Sequence, residues 1–366
     1  MVEAKVKYIN FKTKTLPEYK MPYWDIDSGK EGPCFLVTAA IHGNEVQGSE
    51  AIRRFCPIAE KSLLKGRIVL VPFVNPLALW NRRPHIVSTL GEPFGVYAGK
   101  LEKDNLNRAW PGDPDGNESD QVAYIFFNDF FKKIAPTHYV DLHCYNRFIA
   151  ACSIAEKGNP KSIEFAKQST FPIFRLFTFG SLLNTEDVPE ELKKRERFSL
   201  MQWVSKNGGA AFAVEFSGQY TLIEKEVERG VRMLSNSAKY IGVFEGQLEG
   251  MDELVIHKEE ENVEMVAVRV PHQGLFIENG LSIGDYVKKG DVLGHLFNDA
   301  TLKTIPIEAP ISGYLYYYGS ARRRCDVDLA SMHPFVDKDG NIATIIREKP
   351  SSEQEEAEQR EGKNNG

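Results

Sequence analysis

The stretch FLVTAAIHGNEVQGSEAIRRF, from Phe35 to Phe55, decides the fold. Its run of mostly apolar residues ends at Ile41 and predicts a strand that is buried on both faces. His42 and Glu45 follow at once, and a helical pattern begins at Glu45. A strand that turns directly into a helix is a typical unit of an α/β layer fold.

The same alternation of apolar runs and amphipathic segments continues through the first half of the chain. The predicted strands are Cys34–Ile41, Arg67–Val74, Thr137–His143, Phe171–Phe179 and Ala210–Phe216. The predicted helices are Glu45–Phe55, Ser119–Lys133, Pro160–Gln168 and Ile223–Phe244. We therefore predict an α/β fold with a mixed, mostly parallel sheet covered by helices.

The composition changes after about residue 246, where an acidic segment at 245–264 predicts a linker. Short strands and tight turns follow, and they predict a small all-β domain whose hairpin pattern resembles biotinyl and lipoyl domains. The last residues are polar and lack aromatic side chains, which is typical of disorder. The predicted divisions are a first domain at 1–248, a β domain at 262–348 and a disordered tail at 349–366.

Bulk composition excludes several classes of protein. The net charge of −6 over 366 residues argues against a nucleic-acid partner. No stretch approaches the roughly 18 apolar residues of a membrane helix, and the N-terminus lacks a signal-peptide pattern. Five cysteines at irregular spacing do not suggest disulfides. We therefore expect a cytoplasmic protein with no membrane partner; the oligomeric state stays open, with a homo-oligomer as one option.

Polar side chains stand at the carboxyl ends of three predicted buried strands. His42 follows the first strand, His143 ends THYVDLH, and Glu215 lies in AAFAVEF. Ligand sites in open α/β sheets form at these strand ends. Two imidazoles and the carboxylate of Glu45 would make an open zinc site, although an isolated HxxE is more often a polar loop. Less suited histidines lie in loops or in the β domain: His85, His138, His257, His272, His295 and His333.

Glu215 shares one face of its predicted strand with Ala211 and Ala213. A buried carboxylate is costly unless it is paired or close to a metal ion. One interpretation is a salt bridge to an arginine of the core. The other is a general base whose pKa is raised by burial.

Two further segments carry basic side chains suited to a substrate. In NLNRAWPG, Asn107 and Arg108 could hold a carboxylate, because the planar guanidinium makes paired hydrogen bonds. In NPLALWNRRP, Arg82 or Arg83 could stabilise an oxyanion. A solvated surface arginine is the alternative for each of these side chains.

The motifs HGNE, NP, NLNRAWPGDPDG, DLHC and VEFSG, in this order, resemble the succinylglutamate desuccinylase/aspartoacylase family, which is related to the zinc carboxypeptidases. The resemblance implies that His42, Glu45 and His143 bind one zinc ion. It also implies that Glu215 activates the zinc water and later protonates the leaving amine. The motifs cover residues 35–218, and Asn105 stands where related carboxypeptidases carry an aspartate.

By the same resemblance, Asn107 and Arg108 would hold a substrate carboxylate, and Arg83, with Arg82 as the alternative, would support the scissile carbonyl. The implied function is a zinc-dependent amidohydrolase that removes an acyl group from a small N-acyl amino acid or a related N-acylated compound. A zinc carboxypeptidase acting on peptides is the alternative. A carrier protein with a modified lysine, Lys303, is less favoured, because that residue lacks the usual flanking methionines.

Overall fold

The chain is described from a computed structural model. The described residues are 2–14, 16–85, 105–145, 149–169, 171, 173–177, 198–250, 256–258, 263–319 and 334–349. Of these, the residues up to 250 form one compact unit, and those from 256 onward form a second. The predicted divisions at 1–248 and 262–348 stay predictions, because 251–255 and 259–262 lie outside the described residues. The predicted tail, apart from Lys349, also lies outside them.

The first unit is built around one mixed sheet. Its strands are β1 (Lys5–Phe11), β2 (Tyr19–Asp27), β3 (Cys34–Ala39), β4 (Arg67–Val71), β5 (His138–Tyr145), β6 (Cys152–Glu156), β7 (Ile173–Phe177) and β8 (Ala210–Ser217). They lie in the order β1-β2-β4-β3-β5-β8-β6-β7. The central strands β4, β3, β5 and β8 are parallel, whereas β1, β2 and β6 each pair antiparallel with a neighbour. The predicted mixed sheet is confirmed.

Helices cover both faces of this sheet. They are α1 (Gln47–Ser62), α2 (Pro76–Trp80), a 3-10 turn (Leu106–Arg108), α3 (Glu118–Ile125), a π-helical segment (Phe126–Phe131), α4 (Lys132–Ile134), α5 (Pro160–Lys167), α6 (Leu200–Lys206) and α7 (Glu224–Tyr240). Successive residues of β3 enter opposite cores: Val37 packs with Phe55 of α1, and Leu36 packs on the face that holds Trp110. Both faces are buried, which explains why the strand is a continuous apolar run.

Two local features differ from the sequence expectations. Helix α1 continues to Ser62 and passes through Pro57, although the pattern predicted an end at Phe55. Proline cannot donate a hydrogen bond to the Arg53 carbonyl, but both residues are exposed, so the interruption lies on the solvent-facing side of the helix. Strands β1, β2 and β6 were not predicted. In β1 only Ile9 and Phe11 are buried, so its apolar signal is weak.

The second unit is all-β, as predicted. Its strands are β9 (Ile256–Lys258), β10 (Val263–Arg269), β11 (Gly274–Glu278), β12 (Tyr286–Val287), β13 (Val292–Phe297), β14 (Thr304–Glu308), β15 (Gly313–Tyr318), β16 (Phe335–Val336) and β17 (Asn341–Glu348). Two antiparallel sheets, β10-β17-β15-β12 and β14-β13-β11-β16, surround an apolar core. Lys303 is an exposed residue of the turn between β13 and β14.

Across the described ranges of both units, no helix is long and apolar enough to cross a membrane.

Candidate metal centre

The turn that follows β3 is held in place by the segment after β4. The chain leaves β3 through Ala40, whose φ of 54° is left-handed. The side chain of Asn75 donates a hydrogen bond to the Ile41 carbonyl at 3.1 Å. Gly43 then passes so close to α2 that a Cβ there would lie 2.2 Å from the carbonyl carbon of Ala78. The NP motif and the glycine of HGNE therefore fix where His42 and Glu45 point.

Glu45 lies in this turn and not in the helix. Its N–H donates to the His42 carbonyl at 3.1 Å, and α1 begins only at Gln47, two residues later than the pattern predicted. The Glu45 side chain is buried. Gln219, from the loop after β8, donates from Nε2 to Glu45 Oε1 at 3.2 Å and to the Cys144 carbonyl at 2.9 Å. This amide fixes one carboxylate oxygen and leaves the other directed at the cluster.

Strands β5 and β8 supply the other half of the centre. His143 and Glu215 are register partners, so their side chains project from the same face of the sheet. Cys144 points to the opposite face and belongs to the apolar core. Burial raises the pKa of its thiol well above the usual range. A Cys–His nucleophile pair is therefore absent at this position.

His42, Glu45 and His143 converge on one point. One ligand atom from each lies within 4.8 Å of the others. His143 Nδ1 is 2.9 Å from Glu45 Oε2, and the two imidazole rings have centroids 5.5 Å apart. The other nitrogen of His143, Nε2, is 3.1 Å from Asp141 Oδ2. Asp141 in turn accepts a hydrogen bond from the Thr38 hydroxyl at 2.7 Å, which gives the outer support typical of a metal-ligating histidine.

The two histidines lie in opposite electrostatic environments. Burial, with added repulsion from His85 and His143, lowers the pKa of His42 far below its usual value. Burial also disfavours charge on His143, but the carboxylates of Asp141 and Glu45 outweigh it and raise its pKa well above the usual value. His42 is therefore neutral, and His143 carries a proton that a bound cation would displace.

The cluster fits a divalent cation. The Pro84 carbonyl accepts a hydrogen bond from the His42 ring, and His42 Nδ1 is buried with no partner among the described residues. The donor to Pro84 is therefore Nε2, which leaves the Nδ1 lone pair for a ligand. Two imidazole nitrogens and one carboxylate oxygen form a donor set of the kind that holds catalytic zinc.

Glu215 is half-buried beside this cluster. Burial raises its pKa from 4.5 to about 8; the carboxylates of Glu45 and Asp141 add to the rise, whereas His143 and Arg175 oppose it. A simple ion pair with Arg175 would lower this pKa. The net rise therefore argues against the salt-bridge interpretation and fits a carboxyl that can exchange a proton near neutral pH.

Asn107 and Arg108 lie at the same centre. Asn105 accepts a hydrogen bond from the Asn107 N–H at 3.0 Å and so begins the 3-10 turn that carries both residues. Asn107 Nδ2 lies 3.4 Å from His143 Nε2. The positive charge of Arg108 acts on the rings of His42 and His85 and lowers both pKa values. The structure therefore brings both residues next to the cluster.

The two arginines after α2 differ in exposure. Arg82 lies two residues after the end of α2, has a left-handed φ of 54° and is exposed. Arg83 is half-buried and directly precedes Pro84 and His85. The Pro84 carbonyl accepts a hydrogen bond from the His42 ring, and the His85 ring packs against His42. The burial favours Arg83 over Arg82 as the residue near the centre.

Sequence reasoning missed three residues that the structure places here. His85 had seemed an ordinary loop histidine, yet its ring packs edge-on against His42 with centroids 5.3 Å apart. Asp141 supports His143, and Gln219 supports Glu45. Asp141 was accessible from the sequence, because residues two apart on a strand share a face. His85 and Gln219 reach the centre through loops, for which the sequence has no comparable signal.

Parallel strands that carry two imidazoles at their ends, a carboxylate in the turn after one of them and Glu215 beside them form an arrangement that could hold a metal ion, of the kind found in metal-dependent hydrolases. Residues 31–241, more than half of the chain, match the sequence profile of the succinylglutamate desuccinylase/aspartoacylase catalytic domain. The chain belongs to this family, and it is accordingly a hydrolase of amide bonds, a deacylase.

Individual relatives agree with this assignment. The chain is 26% identical over 289 residues to an N-alpha-acetyl-L-2,4-diaminobutyric acid deacetylase of Halomonas elongata, with 76% of this chain and 74% of the relative covered. An aspartoacylase family protein from Mesorhizobium loti has a similar structure, with a TM-score of 0.64, 20% identity and 96% of each chain covered. The product-bound structure of the ectoine utilization protein EutE (DoeB) from Ruegeria pomeroyi has a TM-score of 0.62 and 17% identity, with 94% of this chain and 95% of that chain covered. These two structures are similar in fold.

Proposed function

We propose that this protein is a zinc-dependent deacylase that removes an acyl group from a small N-acyl amino acid or a related N-acylated compound. The observation that carries the proposal is the convergence of His42, Glu45 and His143 within 4.8 Å, with Glu215 as the register partner of His143. The four described cysteines are free thiols, which agrees with the reducing cytoplasm as the place of action.

The proposed chemistry divides between the ion and the protein. A divalent ion held by the two histidines and Glu45 supplies Lewis-acid chemistry, because it polarises the acyl carbonyl and makes water more acidic. Glu215 takes the proton of the attacking water and passes it to the nitrogen of the leaving amine. Its raised pKa, about 8, suits a group that both accepts and donates a proton near neutral pH.

The remaining site residues orient the substrate. In this proposal Arg108 binds a substrate carboxylate, and Asn107, its neighbour in the same 3-10 turn, adds an amide donor. Arg83, with the exposed Arg82 as the alternative, stabilises the negative charge that develops on the scissile carbonyl oxygen. These roles require a substrate that has an anionic group a short distance from its amide bond.

The choice of acyl group follows from the named relative. That protein is a deacetylase of a small diamino acid, so acetyl-amino acids are the first substrates to test. Succinyl- and formyl-amino acids complete the panel, because the family name includes a desuccinylase.

The test is metal analysis followed by free-amine release from this panel. We expect about one zinc ion per chain, and turnover that a chelator abolishes and added zinc restores. Glu215→Ala should retain the metal and lose activity by several orders of magnitude, whereas Glu228→Gln, an exposed carboxyl-to-amide change on α7, should be as active as wild type. Substantial turnover by Glu215→Ala would remove Glu215 from its proposed role. Efficient release of the last residue of a tetrapeptide would favour the carboxypeptidase alternative.

A further inference from the structure

His85 has a place in the centre that the proposed chemistry does not use. Two imidazole rings flank His42: His143 at a centroid distance of 5.5 Å and His85 at 5.3 Å. Among the described residues, only His42, Glu45 and His143 have ligand atoms that converge within 4.8 Å. His85 therefore lies against the cluster without belonging to it.

The ring of His85 has an unsatisfied polar atom. Its Nδ1 is buried, and it has no hydrogen-bond partner in the part of the chain that the structure describes. Buried polar atoms are nearly always paired, and an unpaired one is costly. Packing against His42 explains the position of the ring but does not satisfy this nitrogen. A ligand that enters the centre from solvent could form the missing hydrogen bond with His85 Nδ1.

The charge next to His85 indicates which kind of group this is. Arg108 directly follows Asn107, whose Nδ2 lies 3.4 Å from His143 Nε2, and its charge acts on both His85 and His42, so its guanidinium lies within electrostatic range of both rings. A second cation is unfavourable there, whereas an anion gains from Arg108. A carboxylate has two oxygens, so it can accept from Arg108 with one and from an imidazole N–H with the other.

We propose that His85 is a substrate-binding residue, which donates from Nδ1 to the carboxylate of the amino-acid portion of the substrate while Arg108 binds the same carboxylate. The inference rests on the proposed function. It adds a specificity determinant: the pocket distinguishes N-acyl amino acids from N-acyl amines through two donors. The ring of His85 also keeps the His42 ring in place, but that role needs no ring nitrogen.

Three variants separate these roles. His85→Phe keeps a planar ring against His42 and removes both nitrogens. His85→Asn keeps an N–H donor close to the position of Nδ1, whereas His85→Gln places its donor closer to that of Nε2. Each variant is assayed on an N-acetyl-L-amino acid that the wild-type enzyme hydrolyses and on the matching α-carboxamide, which lacks the anion. Zinc content is measured for each.

We expect His85→Phe to lower kcat/KM for the carboxylate substrate by roughly 10- to 100-fold, mainly through KM, since one hydrogen bond to a charged group is lost. Turnover of the carboxamide should change little, and zinc should stay at the wild-type level. His85→Asn should recover more activity on the carboxylate substrate than His85→Gln does.

The other outcomes are distinct. Equal losses on both substrates, or loss of zinc, would show that His85 only supports His42. Unchanged kinetics in His85→Phe would show that the ring is packing alone. If wild type hydrolyses neither substrate nor any member of the panel, the proposed function fails and this inference fails with it.

Discussion

Replacing Glu215 with glutamine tests whether burial keeps this carboxyl protonated in the metal-free protein. Its pKa is raised from 4.5 to about 8, first by burial and then by Glu45 and Asp141. A carboxyl whose pKa is raised on folding stabilises the folded state below its unfolded pKa of 4.5, and this contribution is lost as pH rises through 8. The amide of the variant does not titrate, so the variant should lack this loss.

The expected magnitude follows from the two pKa values. Each pKa unit corresponds to about 1.4 kcal/mol, so the free energy of unfolding of the variant should rise relative to wild type by up to roughly 4 kcal/mol between about pH 5 and pH 9. The partial exposure of Glu215 makes this an upper bound. Wild type should lose stability relative to the variant as the solution becomes more alkaline.

The assay is urea unfolding of chelator-treated protein, followed by tryptophan fluorescence at several pH values across that range. Glu228→Gln makes the same chemical change at an exposed position of α7, and its difference from wild type should stay small and constant. If the stability curves of wild type and Glu215→Gln run parallel from pH 5 to pH 9, the carboxyl is ionised throughout. Burial would then not raise the pKa of Glu215, and this carboxyl would not exchange a proton near neutral pH.

Three further predictions concern the supports of the metal centre. Asp141→Asn should weaken zinc binding by about 10- to 100-fold, because the support of His143 loses its charge; equal affinity in a chelator competition would contradict this. Zinc binding near pH 7 should release about one proton, since the raised pKa of His143 keeps it protonated without metal, and affinity should fall as pH falls; calorimetry in two buffers of different ionisation enthalpy measures the release. Gly43→Ala should destabilise the fold by about 3 kcal/mol, because its Cβ would meet the backbone of Ala78, whereas Gly29→Ala meets no atom within 4 Å and should cost only about 1 kcal/mol in urea unfolding, from the left-handed φ of 70° at that position.

The carrier interpretation of the second unit concerns Lys303. This lysine is exposed in the turn between β13 and β14, directly after Leu302, which has a left-handed φ of 56°. Exposure would allow modification, but the flanking residues do not match the usual pattern. Intact-mass analysis of protein from its native host tests the role: an added mass that maps to Lys303 would support it, and an unmodified lysine would contradict it.

The central strands were predictable because they are buried on both faces and therefore read as continuous apolar runs. Their polar ends were predictable for the same reason: His42, His143 and Glu215 interrupt or end those runs. The edge strand β1 and its neighbour β2 were not predictable in this way. Both strands are partly exposed, so polar residues separate their buried apolar residues and no continuous apolar run marks them in the sequence.

The sequence by itself determined which residues are candidate metal ligands, because imidazole and carboxylate chemistry and their positions after buried strands can be read without coordinates. Only the tertiary structure decided how those groups are supported and tuned. The pairing of β5 with β8 puts Glu215 beside His143, and Gln219 reaches Glu45 across a sequence separation of 174 residues. The physical reason is that pKa values and ligand orientation depend on distances and burial. These are set by strand register and loop path, which no local pattern of residues records.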